Sequence, residues 1–291
     1  MLNGVFPRAC SRTALLLCFV FSGCVAQAKT ECSQDWACVD FDRNDSAQVD
    51  VFLRNNKPYT ITMTVDFKPH NMVVVRGGDQ DDTLTKTING HDRVWVGRYK
   101  PVNTRRSSDI DVDIEWAVGS LNVIHDEHYL YRLPFAKTAS YYVVQGFNGG
   151  YSHRGMSRYA VDFAMPDGTE LYAAREGVVV DVEYSNHLGG ASREYIAHAN
   201  YIVIEHSDGS TGEYHHLQEN GVFVHPGEKV KRGQLIGLSG STGFTSLPHL
   251  HFAVYKAMPD GDTQSLAFKF VAADGVVNKP LHGKRYVVAD E

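Results

Sequence analysis

Positive charge is in the minority. Lys and Arg number 28 against 34 Asp and Glu over 291 residues, a net charge of -6. Residues 1–28 hold Arg8 and Arg12 and no acid, so without those two the balance moves from -6 to -8. No stretch gathers the basic residues into a stripe, and a mildly acidic chain lacks the electrostatic footprint of a nucleic-acid binder. No nucleic acid is expected as a partner. Cysteine is scarce: there are five, and Cys10, Cys18 and Cys24 crowd into the N-terminal segment. That leaves Cys32 and Cys38, an even pair that would close a small loop in an oxidising compartment. Nothing near them completes a four-ligand zinc site. Long apolar runs are missing beyond the N-terminus, so no other segment is expected to span a bilayer.

What is present is ordinary globular composition, 43% hydrophobic and 21% charged, at a length that suits one large or two smaller domains. Gly is abundant (26) and aromatics reach 11%, which fits strands and turns better than long helices. The N-terminus has the layout of a secretory signal: Arg8 and Arg12, an apolar core from Ala14 to Val25, then the cleavage site Ala26-Gln27-Ala28 before Lys29. Residues 1–28 are therefore expected to be removed on export to the periplasm or the medium. Phe21-Ser22-Gly23-Cys24 offers a second reading, a lipoprotein box that would leave Cys24 lipidated and the chain anchored to the outer membrane.

The rest predicts an all-β protein. Between Val39 and Phe135 the alternating or β-branched segments Ala47–Leu53, Tyr59–Val65, Met72–Val75, Arg93–Tyr99, Asp111–Ala117 and Tyr129–Leu133 recur about every ten residues, with turn chemistry such as Asn55-Asn56-Lys57-Pro58 between them. Residues 29–136 are expected to form an immunoglobulin-like β-sandwich. No chemical constellation shows there, and His70, His91, His125 and His128 are scattered. The glycine-rich Gln145-Gly146-Phe147-Asn148-Gly149-Gly150 leads out of a hinge into a second β-rich domain over 137–270, and residues 271–291 are expected to pack on it as a tail.

The chemistry gathers in that second domain. Pro248-His249-Leu250-His251-Phe252 sets two imidazoles on one face of a strand, because side chains alternate with period 2. Asp162 lies in Val161-Asp162-Phe163-Ala164, where an unpaired buried carboxylate would be costly and a metal would remove the cost. His153 lies in a Gly/Ser-rich loop from which it can turn inward. His153, Asp162 and His251 form a 2-His-1-carboxylate set, which suits zinc with an open fourth position and suits iron as well. His249 and His216 would stand beside the metal to move protons or to stabilise an oxyanion. In Tyr214-His215-His216-Leu217 the same alternation predicts His216 and Tyr214 on one face and His215 on the other. His187, His198, His206, His215 and His225 are taken as structural or surface residues.

His153…Asp162, Tyr214-x-His216-Leu217 and Gly240-Ser241-Thr242-Gly243…Pro248-His249-Leu250-His251-Phe252 resemble the lysostaphin/LytM-type zinc endopeptidases, over roughly residues 145–256. Gly168-Thr169…Ala173-Ala174-Arg175-x-Gly177-Val178-Val179 and Gly227-x-Lys229-Val230-x-x-Gly233-Gln234-x-Ile236-Gly237 match too. Many members hold His and Asp four apart, whereas here they are nine apart. The resemblance implies an antiparallel β-domain with one Zn2+ per chain, held in an open groove by His153, Asp162 and His251. His216 and His249 become its catalytic imidazoles, and peptide bonds in peptidoglycan cross-links or bridges its substrate. Degenerate relatives instead bind and activate cell-wall amidases, but they typically lose ligands, and here every ligand is present.

Overall fold

The computed structural model describes residues 28–77 and 82–289. The expected signal segment and Cys24, Ala28 apart, lie outside the described residues. The chain divides into two compact units. The first runs to Ala117 and takes in Pro259–Gly261, and the second starts at Val118. No helix among the described residues is long and apolar enough to cross a membrane.

The first unit is built from β1 (Ala28–Ser33), β2 (Ala37–Arg43), β3 (Val49–Asn55), β4 (Ile61–His70), β5 (Met72–Gly77), β6 (Thr83–Ile88), β7 (Arg93–Pro101) and β8 (Asp109–Val118). In β3 the alternation is direct: Val49, Val51 and Leu53 are buried, while Asp50, Phe52 and Arg54 are half-buried. Turns at residues 34–36 and 44–48 keep β1, β2 and β3 as consecutive antiparallel neighbours. The two sheets have the orders β1-β2-β3-β7-β5 and β6-β4-β8. An immunoglobulin sandwich sends its third strand to the opposite sheet, so the unit is antiparallel β but its strand order departs from the expected pattern. Cys32 and Cys38 face each other in register on β1 and β2 and form a disulfide, as their spacing suggested.

The second unit continues with β9 (Leu130–Arg132), β10 (Ser140–Gln145), β11 (Val161–Ala164), β12 (Glu170–Tyr172), β13 (Gly177–Glu183), β14 (Gly189–Gly190), β15 (Tyr201–Glu205) and β16 (Thr211–His215). After these come β17 (Leu217–Val222), β18 (Lys229–Val230), β19 (Leu235–Ser239), β20 (Gly243–Phe244), β21 (His249–Ala257), β22 (Thr263–Ser265), β23 (Lys269–Ala272), β24 (Gly275–Val277) and β25 (Arg285–Val287). The expected boundary at 136/137 falls inside this unit. Leu130–Arg132 runs parallel to Lys269–Ala272, so the approach to the hinge is already part of the second unit. The tail is integrated as well, since Arg285–Val287 adds an edge strand to β10.

One large sheet dominates, in the order β18-β13-β15-β16-β21-β11-β10-β25, with β22 beside β21. One of its faces carries Val161, Phe163, Ile202, Ile204, Tyr214, Leu250, Phe252 and Val254 into a core shared with Tyr131, Phe268 and Phe270. Burying such side chains contributes roughly 1.5–3 kcal/mol each. The residues between them along each strand lie on the opposite face, and that face holds the site.

Candidate metal centre and active site

Antiparallel register assembles the site. Gln145 pairs with Asp162, Asp162 with His251, His251 with His215, and His215 with Tyr201. These residues form one row across β10, β11, β21, β16 and β15, on the face away from the core. His249 stands two residues from His251 along β21, a step of about 7 Å.

His153, Asp162 and His251 offer ligand atoms that all lie within 4.8 Å of one another. Asp162 Oδ1 is 3.1 Å from His153 Nε2 and 2.8 Å from His251 Nδ1. Each group is held from behind. The Nδ1–H of His153 donates to Gly146 O at 3.0 Å, which turns Nε2 inward. The Gln145 amide nitrogen donates to Asp162 Oδ2 at 3.0 Å, which leaves Oδ1 as the free acceptor. Gln145 is itself locked, because its Oε1 accepts from the backbone N–H of Tyr151 and of Ser152. A ligand set with outer partners of this kind is what a bound metal ion needs. Two imidazole nitrogens and one carboxylate oxygen, with cavity on the remaining side, match the donor set of a catalytic zinc site. The residues fit the ion.

The electrostatics are consistent with that fit. Burial alone would raise the Asp162 carboxyl pKa. The imidazoles of His153 and His251 set against it outweigh burial and hold the group well below the usual carboxylate range. Burial pushes His251 down to about 4, against the pull of Asp162, so the ring is neutral near neutral pH and one of its two nitrogens carries a free lone pair. His216 is also pushed far down, by burial and by the neighbouring His249, His251 and His215.

His216 and His249 border the ligands, with ring centroids 4.6 Å apart. The Nδ1–H of His216 donates to Thr242 O at 2.7 Å, and that of His249 to Leu247 O at 2.8 Å. Each imidazole thereby keeps Nε2 as its free acceptor. His249 Nε2 lies 3.8 Å from Asp162 Oδ1. Asp162, His216, His249 and His251, but not His153, line a cavity of about 260 Å³ whose walls include Tyr151, Phe244, Leu247 and Ile196. Tyr151 and Phe244 are stacked in its wall, with ring centroids 6.1 Å apart.

The five residues singled out in the sequence therefore come together, with one error of face. Tyr214 enters the core, while His215 and His216 both line the cavity. β16 ends at His215, and His216 adopts φ +67°, a left-handed conformation that breaks the alternation and turns its ring toward the site. His215 belongs to the site face and donates from Nε2 to Glu213 Oε2 at 3.0 Å. The sequence sets His215 among the structural or surface histidines, the first of them to be considered for a role, and does not single out Glu213 or Gln145. The period-2 pair Glu213-x-His215, placed in a strand, was the one signal available for two of them. His225 is exposed, and His206 is buried far along the sheet, paired with Glu176 O.

Residues 156–265 match the profile described as Peptidase family M23. The chain is 43% identical over 91 residues to the peptidoglycan DD-endopeptidase ShyA of Vibrio cholerae, which covers 31% of this chain and 18% of that protein. It is 40% identical over 108 residues to a glycyl-glycine endopeptidase of Staphylococcus capitis, 37% of this chain and 25% of that protein. Among solved structures, the catalytic domain of the antimicrobial peptidase lysostaphin from Staphylococcus simulans is 30% identical. That comparison covers 44% of this chain and 87% of that one, at a TM-score of 0.31. The chain spans less than half the length of the curated relatives it matches first.

Proposed function

The second unit carries a domain of Peptidase family M23, and from that premise we propose that the protein is an exported zinc endopeptidase hydrolysing peptide bonds in peptidoglycan. The observation that carries this is the convergence of His153, Asp162 and His251 on one point, with the free Nε2 atoms of His216 and His249 beside it in one cavity. Relatives named as peptidoglycan DD-endopeptidase and glycyl-glycine endopeptidase support the substrate class.

His153, Asp162 and His251 would hold the ion. A zinc ion in such a site lowers the pKa of water and polarises a carbonyl. The protein's own part is proton transfer and charge stabilisation. An imidazole with Nδ1–H tied to a carbonyl takes a proton at Nε2 from the attacking water as the new C–O bond forms. The imidazolium so formed stabilises the adjacent oxyanion and returns the proton to the leaving nitrogen as the C–N bond breaks. The products are a carboxylate and an amine.

Zinc content of the purified protein, together with muropeptide release from isolated sacculi, tests the proposal. Stoichiometric zinc and released cross-link fragments are expected. A metal-free protein that leaves sacculi intact but stimulates an amidase would replace it with the regulator reading. Export belongs to the same proposal: a mature chain starting at Lys29 is expected by mass spectrometry, and a lipidated Cys24 would put the protein on the lipoprotein route.

A further inference from the structure

The lining of the catalytic cavity has two carboxylates, Asp162 and Glu213, and no lysine or arginine. Asp162 is committed to the metal set. Glu213 is not. It pairs with Ala253 on β21 as His215 pairs with His251, so it lies one two-residue step along the same face, toward Tyr255. That step is about 7 Å. His249 lies the same step in the opposite direction, so the catalytic imidazoles and Glu213 flank the metal row from opposite sides.

The Glu213 side chain is 9% exposed. Its Oε2 accepts from His215 Nε2 at 3.0 Å, and its Oε1 accepts from Thr211 Oγ1 at 3.3 Å. Neither partner is a permanent cation. A carboxylate held this deep is costly unless a positive group meets it. Around it the cavity offers the neutral Tyr201, Tyr255, Thr263 and Ser157.

We propose that Glu213 determines specificity by seating an ammonium group of the substrate, carried within about two residues of the scissile bond. An extended peptide covers roughly 7 Å in two residues, the same step that separates Glu213 from the metal row. This rests on the peptidase reading and names its substrate class: peptides with the free amine of a diamino acid close to the cleaved bond. A run of glycines presents no such group.

The test uses the zinc-loaded full chain and two synthetic cross-linked stem peptides, one with the free amine and one with that amine acetylated. The wild type is expected to favour the free amine in kcat/KM by roughly 10-fold or more, the range of a charge-assisted hydrogen bond. Glu213→Gln should bring the ratio near one, through KM, with zinc content and kcat kept. Equal kcat/KM for both peptides in the wild type would overturn the proposal. So would a Glu213→Gln variant that slows both peptides alike, the mark of a merely structural partner of His215. Calorimetric binding of both peptides to zinc-loaded His216→Ala, with and without Glu213→Gln, decides the matter without turnover. Failure of the wild type to cut either peptide therefore sinks the peptidase reading, while the binding ratio still judges Glu213.

Discussion

His251 and His216 stand 6.0 Å apart by ring centroids, yet their substitutions should fail in different ways. His251→Ala removes one of the three proposed ligands and is expected to abolish both metal binding and activity. His216→Ala leaves the ligand set intact, so zinc should remain while turnover falls on the order of 100- to 1000-fold. Metal analysis beside turnover separates the two, and metal loss from His216→Ala would overturn the division of roles. Gln145→Ala leaves every ligand in place but frees the Asp162 carboxylate to rotate. Competition with a chelator should show a 10- to 100-fold weaker metal affinity, roughly the effect of losing an outer partner.

Strands and turns set the precision of the site. Gly146 follows the last residue of β10 and supplies the carbonyl that orients His153. A Cβ at Gly146 would lie 2.2 Å from Pro280 O, a contact no real side chain makes. Gly146→Ala must therefore shift the backbone that holds His153. A loss of about 1–3 kcal/mol in denaturant unfolding is expected, the usual cost of forcing extra atoms into a packed site, together with weakened metal binding. At the far end of β16 the left-handed φ of His216 does similar work, since without it the ring would follow Tyr214 into the core.

The stability of the whole chain carries a pH signature away from the metal. Burial, aided by the charge of Arg175, pushes His206 down to about 4. Its Nδ1–H donates to Glu176 O, and its Nε2 is buried with no hydrogen-bond partner among the described residues. The folded pKa lies below the ordinary 6.5, so the unfolded chain binds the extra proton first. The contribution of His206 to stability is expected to be full above about pH 6.5 and to be lost as pH falls toward 4, by up to about 3 kcal/mol. Unfolding midpoints of wild type and His206→Gln should converge as pH drops through that window. A constant gap would show that His206 does not titrate on unfolding.

The sequence by itself determined the all-β class and the pairing of the two cysteines, which depend on local properties: period-2 alternation, turn chemistry and the chemical character of each side chain. It singled out His153, Asp162, His216, His249 and His251 by side-chain character together with the family resemblance, which supplied their roles. Tertiary structure alone decided which strands pair and in what register, and so which residues share a face with the ligands. Register joins β11, β21 and β16 across long stretches of chain, and a local pattern carries no information about it. That is why Glu213 and Gln145 enter the site unannounced. It is also why the strand order of the first unit and the division at 117/118 are not legible in the sequence, since alternation marks a strand without naming its neighbour. The turn of His216 into the cavity rests on one backbone dihedral, which the fold imposes and the residue tolerates.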